Sequence, residues 1–148
     1  MTADAAAIER FADALWMERG LSPSTLAAYQ SDLRAFARAL DAYFEDGTYR
    51  FDLPLRLAGT SFQQELWGAL RAIPPGRTFT YGQLAHELRT SPRAVGRACR
   101  ANPCPIVIPC HRVVGAHGLG GFAGDLSGRK LTVKRWLLGH EGAQPLPG

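Results

Sequence analysis

The sequence has no apolar run long enough to cross a membrane. Nothing in its 148 residues approaches the roughly 18 continuous apolar residues that a span requires. The first seven residues, Met1–Ala7, lack the charged and apolar regions of a secretory signal peptide. These absences predict a cytoplasmic protein without a membrane partner.

Cysteine is also scarce. The chain has 3 cysteines, at positions 99, 104 and 110, which cannot all pair and which crowd into one short segment. This pattern argues against a disulfide-stapled secreted scaffold and predicts reduced thiols. His111 and the three cysteines lack the paired short spacings of a zinc site, so we expect no metal.

For predicting a nucleic-acid partner, the distribution of charge along the chain is more informative than the net charge. A formal net charge of +4 suits nucleic acid, but many enzymes carry such a charge. Five arginines gather around the last cysteine in sequence: Arg89, Arg93, Arg97, Arg100 and Arg112. The length and the 46% hydrophobic content fit one compact domain, or one small domain with an appendage.

The first forty residues predict two amphipathic helices. Apolar residues recur at helical spacing, first at Ile8, Phe11, Ala12, Leu15 and Trp16 and then at Leu26, Tyr29, Leu33, Phe36 and Leu40. Gly20 ends the first helix, and Ser22-Pro23 caps the second. We assign residues 1–41 to a helical hairpin that packs or docks, with a DNA contact as the alternative.

The composition changes after the hairpin. Over residues 42–58, alternating apolar side chains predict a junction with an edge strand: Phe51, Leu53, Leu55 and Leu57. Thr60 with Gln63 then resembles a capping box that opens a helix, and Pro74-Pro75-Gly76 ends that helix. The inward face of this helix is predicted to carry Phe62, Leu66, Ala69, Leu70 and Ile73.

Two short helices joined by a tight turn predict a helix-turn-helix. Thr80 and Gln83 form a second capping box for a helix through Leu88, and Ser91-Pro92 caps a helix over residues 93–101. In such a motif the second helix is presented to DNA. Its small residues allow close approach to the duplex, and Arg93, Arg97 and Arg100 can reach phosphates or a gap between bases.

Cys110 follows this helix closely and stands between a proline and a histidine. A thiol is most reactive as a thiolate, and His111 and Arg112 are neighbours that would favour the charged form. Taken alone, the cysteine is equally compatible with a hydrolase, redox, metal or purely structural role.

Ordered motifs from Phe62 to Glu141 resemble the O6-alkylguanine-DNA alkyltransferases, the methylated-DNA–protein-cysteine methyltransferase family. They are Thr80–Ala85, Arg93–Gly96, Asn102-Pro103, Ile108–Val114 and Trp136–Glu141. Residues 1–41 resemble the start of the core-binding domain of tyrosine recombinases, but no recombinase catalytic domain follows. The resemblance implies a mainly α fold: a helix-turn-helix or winged-helix-like alkyltransferase C-terminal domain over 59–148 with short strands, preceded by the helical hairpin. Residues 42–58 would be a remnant of the usual N-terminal α/β domain, which is largely missing.

The resemblance also implies roles for single residues. Cys110 would accept the alkyl group, while His111, Glu141 and a water would deprotonate it. Tyr81 would protonate the departing guanine, and Asn102 would hold the turn before the active-site segment. DNA would be contacted by Thr80, Arg93, Ala94, Gly96, Arg97 and Arg100, with Arg93 filling the gap left by the flipped nucleotide. The substrate pocket would be lined by Pro105, Val113, Val114, Gly121, Phe122 and Ala123.

The chemistry of the lesion agrees with this interpretation. An alkyl group on O6 of guanine is buried in the base stack, so the base must leave the helix and enter a dry pocket. Transfer to sulfur gives a thioether with no easy hydrolytic exit, which predicts a single-turnover enzyme. We expect double-stranded DNA with O6-alkylguanine as partner, O4 of thymine as a further lesion, no cofactor and a monomer. The rival hypotheses are a non-catalytic binder of alkylated DNA and a poorly folded fusion of two gene fragments.

The sequence departs from the family at two further places. Phe122 and Ala123 stand in the loop where relatives offer hydroxyl groups, which predicts weaker hydrogen bonding to O6. The turn from Arg89 to Pro92 is short for the family, and it bears on where Arg93 lies relative to Tyr81.

Overall fold

The computed structural model describes the backbone of residues 3–122 and 128–144, and the side chains of these residues apart from 3, 4 and 15–18. The chain divides into two compact units between Glu45 and Asp46. Among the described residues, no helix is both long and apolar enough to span a membrane.

The first unit consists of two helices, as predicted. Helix α1 covers Ala3–Arg19 and helix α2 covers Pro23–Glu45, so α2 continues past residue 41, the predicted end of the hairpin. Between them Gly20 has a positive φ of 61°, and the Ser22 hydroxyl accepts a hydrogen bond from the Thr25 N–H at 3.2 Å. The predicted apolar faces are only partly covered: Phe11 is 50% exposed and Tyr29 is 45% exposed. The predicted face residues Leu15 and Trp16 lie outside the residues whose side chains are described.

The second unit is mainly helical, with two very short strands, in agreement with the predicted fold class. Its elements in chain order are helix α3 (Ser61–Arg71), strand β1 (Phe79–Thr80), helix α4 (Tyr81–Glu87), helix α5 (Pro92–Arg100), a 3₁₀ turn (Cys110–Arg112), strand β2 (Val113–Val114) and helix α6 (Arg129–His140). The two strands pair in parallel, with Phe79 opposite Val113 and Thr80 opposite Val114.

The predicted helix starts are confirmed. The Thr60 and Thr80 hydroxyl groups each accept a hydrogen bond from the backbone N–H of the glutamine three residues later. The side-chain oxygen of each glutamine in turn accepts one from the backbone N–H of the threonine. Ser91 caps α5, with Pro92 as its first residue. Each such cap satisfies backbone N–H groups that a helix start leaves unpaired, and is worth about 1 kcal/mol.

The predicted edge strand is wrong. No described residue between Asp46 and Gly59 is in a strand, although burial alternates as predicted, with Phe51, Leu53, Leu55 and Leu57 partly buried. Pro54 lacks an N–H for a ladder, and the Leu53 carbonyl accepts a hydrogen bond from Arg71 Nη2 at 2.8 Å. The segment is therefore extended against the core and held by side chains, without a neighbouring strand.

The core of the second unit supports the helix-turn-helix. Leu66, Leu70, Leu84, Val95 and Ile108 are buried together with the rest of one apolar cluster. Trp67 Nε1 donates to the Ala98 carbonyl at 3.0 Å, which ties α3 to α5. Because β1 leads directly into α4 and β2 follows the 3₁₀ turn, their pairing brings Tyr81 and Cys110 to the same region.

Candidate active site

Cys110 is buried at the start of the 3₁₀ turn. Only 6% of the residue is exposed, and its N–H donates to the Ile108 carbonyl at 2.8 Å. Burial raises the pKa of the Cys110 thiol, and the opposing effects of the Asn102 side chain and the Lys134 charge do not cancel it. The resting group is therefore a thiol that needs a base.

His111 and Glu141 form a buried pair that can supply this base. His111 Nε2 lies 2.6 Å from Glu141 Oε1, and neither side chain is exposed. Burial lowers the pKa of His111, so its ring is neutral at neutral pH. An ionised carboxylate only accepts hydrogen bonds, which places the ring proton on Nε2 and leaves Nδ1 as a proton acceptor. Nδ1 is buried and has no hydrogen-bond partner among the described residues.

Arg112 acts on the carboxylate rather than on the thiol. Its Nε and Nη2 donate to the two oxygens of Glu141, each at 2.9 Å, and Nη1 donates to the Ile73 carbonyl. The expectation that Arg112 favours the Cys110 thiolate is corrected by this geometry, because its charge is already compensated. Burial raises the pKa of Glu141, but the hydrogen bonds from His111 and Arg112 outweigh it and bring the pKa to about 2.

Lys134 is the functional residue that sequence reasoning missed. It is completely buried, and Nζ donates to the Val113 carbonyl at 2.7 Å and to the Gly121 carbonyl at 2.8 Å. Burial lowers the pKa of Lys134 to about 8, and its charge lowers the pKa of Cys110. Lys134 stands three and four residues before Leu137 and Leu138, and these three residues form the buried face of α6.

Tyr81 lies against the loop that contains Gly120 and Gly121. Its hydroxyl donates to the Gly121 carbonyl at 3.3 Å, and burial, followed by the two nearby thiols Cys99 and Cys110, raises its pKa to about 12. Gly120 has a positive φ of 71°, and a Cβ at this position would lie 3.0 Å from Tyr81 Cε2. The glycine therefore allows the loop to approach the tyrosine ring closely.

Asn102 links the end of α5 to the active-site segment. Its Nδ2 donates to the Ile108 carbonyl at 2.8 Å, and its Oδ1 accepts from the Cys104 N–H at 2.9 Å. The enclosed loop contains Ile106 with a positive φ of 76°, a strained conformation for a β-branched residue. The Asn102 side chain thus joins the backbone hydrogen bond from the Ile108 N–H to the Cys104 carbonyl, at 2.9 Å, in holding the loop before Cys110.

The predicted pocket residues are distributed unevenly. Val113 and Val114 are almost fully buried in β2, so they support the site from behind instead of facing an open pocket. Phe122 packs against the apolar cluster and Gly121 is half-buried, whereas Pro105 is exposed. Ala123, also expected there, lies outside the described residues.

The predicted DNA-contacting residues are spread along α5 and the start of α4. Arg93, Arg97 and Arg100 are exposed, while Val95, Ala98 and Cys99 form the buried face of the helix. Ala94 and Gly96 are partly buried, and a Cβ at Gly96 would meet nothing within 4 Å. A shallow groove of about 250 Å³ runs from Thr60 and Gln63 to Arg93 and Arg97. The Thr80 hydroxyl is occupied by its capping bond to the Gln83 N–H at 3.0 Å.

The second unit combines a helix-turn-helix with a buried cysteine and a buried histidine–carboxylate pair, which fits the class of DNA-binding proteins that carry a cysteine in their site. Residues 61–143 match the family model for the 6-O-methylguanine DNA methyltransferase, DNA binding domain. The chain belongs to this family. Residues 8–48 also match the model for the N-terminal SAM-like domain of phage integrases.

Relatives of known name agree with this membership. A methylated-DNA–protein-cysteine methyltransferase of Methanosarcina acetivorans is 40% identical over 124 residues, which cover 82% of this chain and 76% of the relative. The crystal structure of the Mycobacterium tuberculosis O6-methylguanine methyltransferase aligns with a TM-score of 0.65 at 42% identity, over 74% of this chain and 66% of that one. Mycobacterium tuberculosis OGT in complex with DNA aligns with a TM-score of 0.60 at 40% identity, over 74% and 65%. The chain thus spans about two thirds of the two mycobacterial structures.

Proposed function

We propose that this protein repairs DNA by direct reversal, transferring a methyl or other alkyl group from O6 of guanine to the sulfur of Cys110. The observation that carries the proposal is the buried His111–Glu141 pair, in which His111 Nδ1 is left as a proton acceptor on the residue that follows the buried Cys110. The family membership and the DNA complex of a relative support the same substrate.

The proposed reaction begins with proton removal. His111 Nδ1 takes the thiol proton through a water, and Glu141 stabilises the imidazolium that forms. The Lys134 ammonium group stabilises the thiolate. The thiolate attacks the saturated carbon in line, so a sulfur–carbon bond forms as the carbon–oxygen bond breaks.

The departing guanine anion then needs a proton. Tyr81 remains a phenol at neutral pH because its pKa is raised to about 12, and it donates this proton to the guanine. The proton held on His111 returns to the phenolate, so the charges balance. The thioether has no easy hydrolytic exit, and each molecule therefore acts once.

Access to O6 requires the nucleotide to leave the helix. We infer that α5 enters the minor groove, with Arg93 in the gap left by the flipped base and Arg97 and Arg100 on phosphates. O4 of thymine presents similar chemistry and is a second lesion. Residues 1–41 serve as a packing or docking element, and no strand exchange is assigned to them. The three free thiols accord with a reducing, cytoplasmic site of action.

Mass spectrometry and a gel shift test the proposal. After incubation with a duplex that contains O6-methylguanine, one methyl group is expected on the peptide with Cys110. Cys110→Ala should retain binding and lose transfer, whereas the matched variant Cys104→Ala, which removes a half-buried thiol of the same loop, should retain both. Binding without transfer in the wild type would favour a non-catalytic binder, and an unchanged mass would refute the transfer.

A further inference from the structure

The second unit contains a small cavity at the end of α3 that is lined in part by Arg112 and not by Glu141. Its volume is about 160 Å³, and it is lined by Tyr49–Phe51, Arg71–Pro75, Ile106-Val107 and Arg112. The described lining includes three arginines and no carboxylate. Neither the proposed relay nor the proposed DNA surface uses this cavity.

Arg112 presents unused hydrogen-bond donors here. A guanidinium group has five N–H donors. Three of them are used, two by Glu141 and one by the Ile73 carbonyl, which leaves two without a partner among the described residues. Only 5% of Arg112 is exposed, so a ligand of these donors would be bound at a nearly desolvated charge.

The two other arginines have no compensating acid within the described part of the chain. Arg71 makes a single hydrogen bond, to the Leu53 carbonyl, and Arg50 makes no hydrogen bond or ion pair there. The Ile73 and Leu53 carbonyls are already taken by arginine donors. Pro74 and Pro75 carry no side-chain acid that could neutralise the cavity. Arg50 and Arg71 therefore bring to the cavity two positive charges that no described acid compensates, while Arg112, whose charge is paired with Glu141, adds N–H donors.

We propose that this cavity binds a small phosphate-type oxyanion. Guanidinium groups bind such anions through paired N–H donors, and Tyr49 adds a hydroxyl at the rim. The volume admits a phosphate group but is well below the roughly 300 Å³ of sites for larger organic ligands. The anion is either the free ion or the terminal phosphate of a mononucleotide.

Calorimetric titration of the full chain with inorganic phosphate, in chloride buffer of constant ionic strength and without DNA, tests the site. The wild type should bind one phosphate, and Arg50→Gln with Arg71→Gln should weaken binding by about 10-fold or more. Arg50→Gln alone, which leaves the bond to Leu53 intact, should weaken binding in the same direction. Arg56→Gln, an exposed arginine of the same segment outside the cavity, should leave the affinity within about twofold.

Two comparisons complete the test. Tighter binding of thymidine 5′-monophosphate than of phosphate would assign the site to a mononucleotide, and equal binding would assign it to the free ion. No saturable binding, or binding lost in Arg97→Gln but retained in Arg50→Gln, would overturn the proposal, because the anion would then lie on α5. The titration uses neither DNA nor Cys110, so its result is independent of whether alkyl transfer occurs.

Discussion

The ammonium nitrogen of Lys134 lies 5.9 Å from the centre of the Tyr81 ring, and both side chains donate to the Gly121 carbonyl. Burial shifts the pKa values of the two groups in opposite directions: it lowers the pKa of Lys134 to about 8 and raises that of Tyr81 to about 12. At neutral pH the site therefore holds a cation and a neutral phenol. This arrangement suits a reaction that creates a thiolate first and a guanine anion second.

Lys134→Met tests the role assigned to this cation. Methionine fills a similar volume without charge, so the Cys110 thiolate loses its nearest stabilising charge, and the rate of alkyl transfer at neutral pH should fall about 10-fold or more. Single-turnover kinetics measures this rate. Arg135→Met, an exposed cation on the same helix, should leave it unchanged. A pH–rate profile separates the explanations, because loss of the charge shifts the apparent pKa upward whereas simple misfolding lowers the rate at every pH.

Glu141→Gln tests the pH dependence of stability. The folded-state pKa of Glu141 is about 2, below the ordinary value of 4.5, so the folded chain binds fewer protons than the unfolded chain between these values. The ionised Glu141 contributes about 3 kcal/mol to the free energy of unfolding. This contribution is present above pH 4.5 and is lost as the pH falls toward 2. Urea unfolding over this range should show a free energy of unfolding that falls steeply with decreasing pH in the wild type and less steeply in the variant. Equal slopes in the two proteins would contradict the assignment.

Arg89→Gly should stabilise the protein. Arg89 follows the C-cap of α4 with a positive φ of 53°, and the Thr90 N–H closes the turn on the Ala85 carbonyl at 2.8 Å. Glycine is favoured at this position of a helix end, so relief of strain should raise the free energy of unfolding by about 0.5–1 kcal/mol. Arg56→Gly, at a position without a positive φ, should instead lower the free energy of unfolding. Chemical denaturation measures both.

Gly47→Ala should be strongly destabilising. A Cβ on Gly47 would lie 1.9 Å from the His140 carbonyl oxygen and 3.1 Å from Glu141 Cα, both of which are backbone atoms. We expect a loss of about 1–3 kcal/mol or more, with slower alkyl transfer because the end of α6 must move. Gly139→Ala provides the control, since a Cβ there would meet nothing within 4 Å and alanine favours the helix. A thermal melt in which Gly47→Ala matched the wild type would contradict the close packing.

The sequence was informative wherever the signal is local. The capping pairs Thr60–Gln63 and Thr80–Gln83 lie within one helical turn, and their side chains form the predicted bonds. Burial along residues 51–57 also alternates as predicted, but the strand is wrong, because a ladder needs a neighbour that the alternation does not specify.

Side-chain direction was the part that the sequence could not supply. Arg112 was expected beside the thiol, and the fold turns it toward Glu141, which is 29 residues away. Lys134 was overlooked because a lysine in a helix is ordinarily assigned to the solvent side. The hydrogen-bond partners of Arg112 and of Lys134 both depend on how α6 packs against the 3₁₀ turn. No local sequence pattern determines that packing.

Glu141 caps the end of α6, and its N–H donates to the Leu137 carbonyl at 3.0 Å. Fraying of this last turn is therefore expected to separate the carboxylate from His111, so that the helix end and the proposed relay open as one event. Hydrogen exchange at the Glu141 amide consequently reports the population of molecules that are momentarily incompetent for chemistry, before any substrate is present.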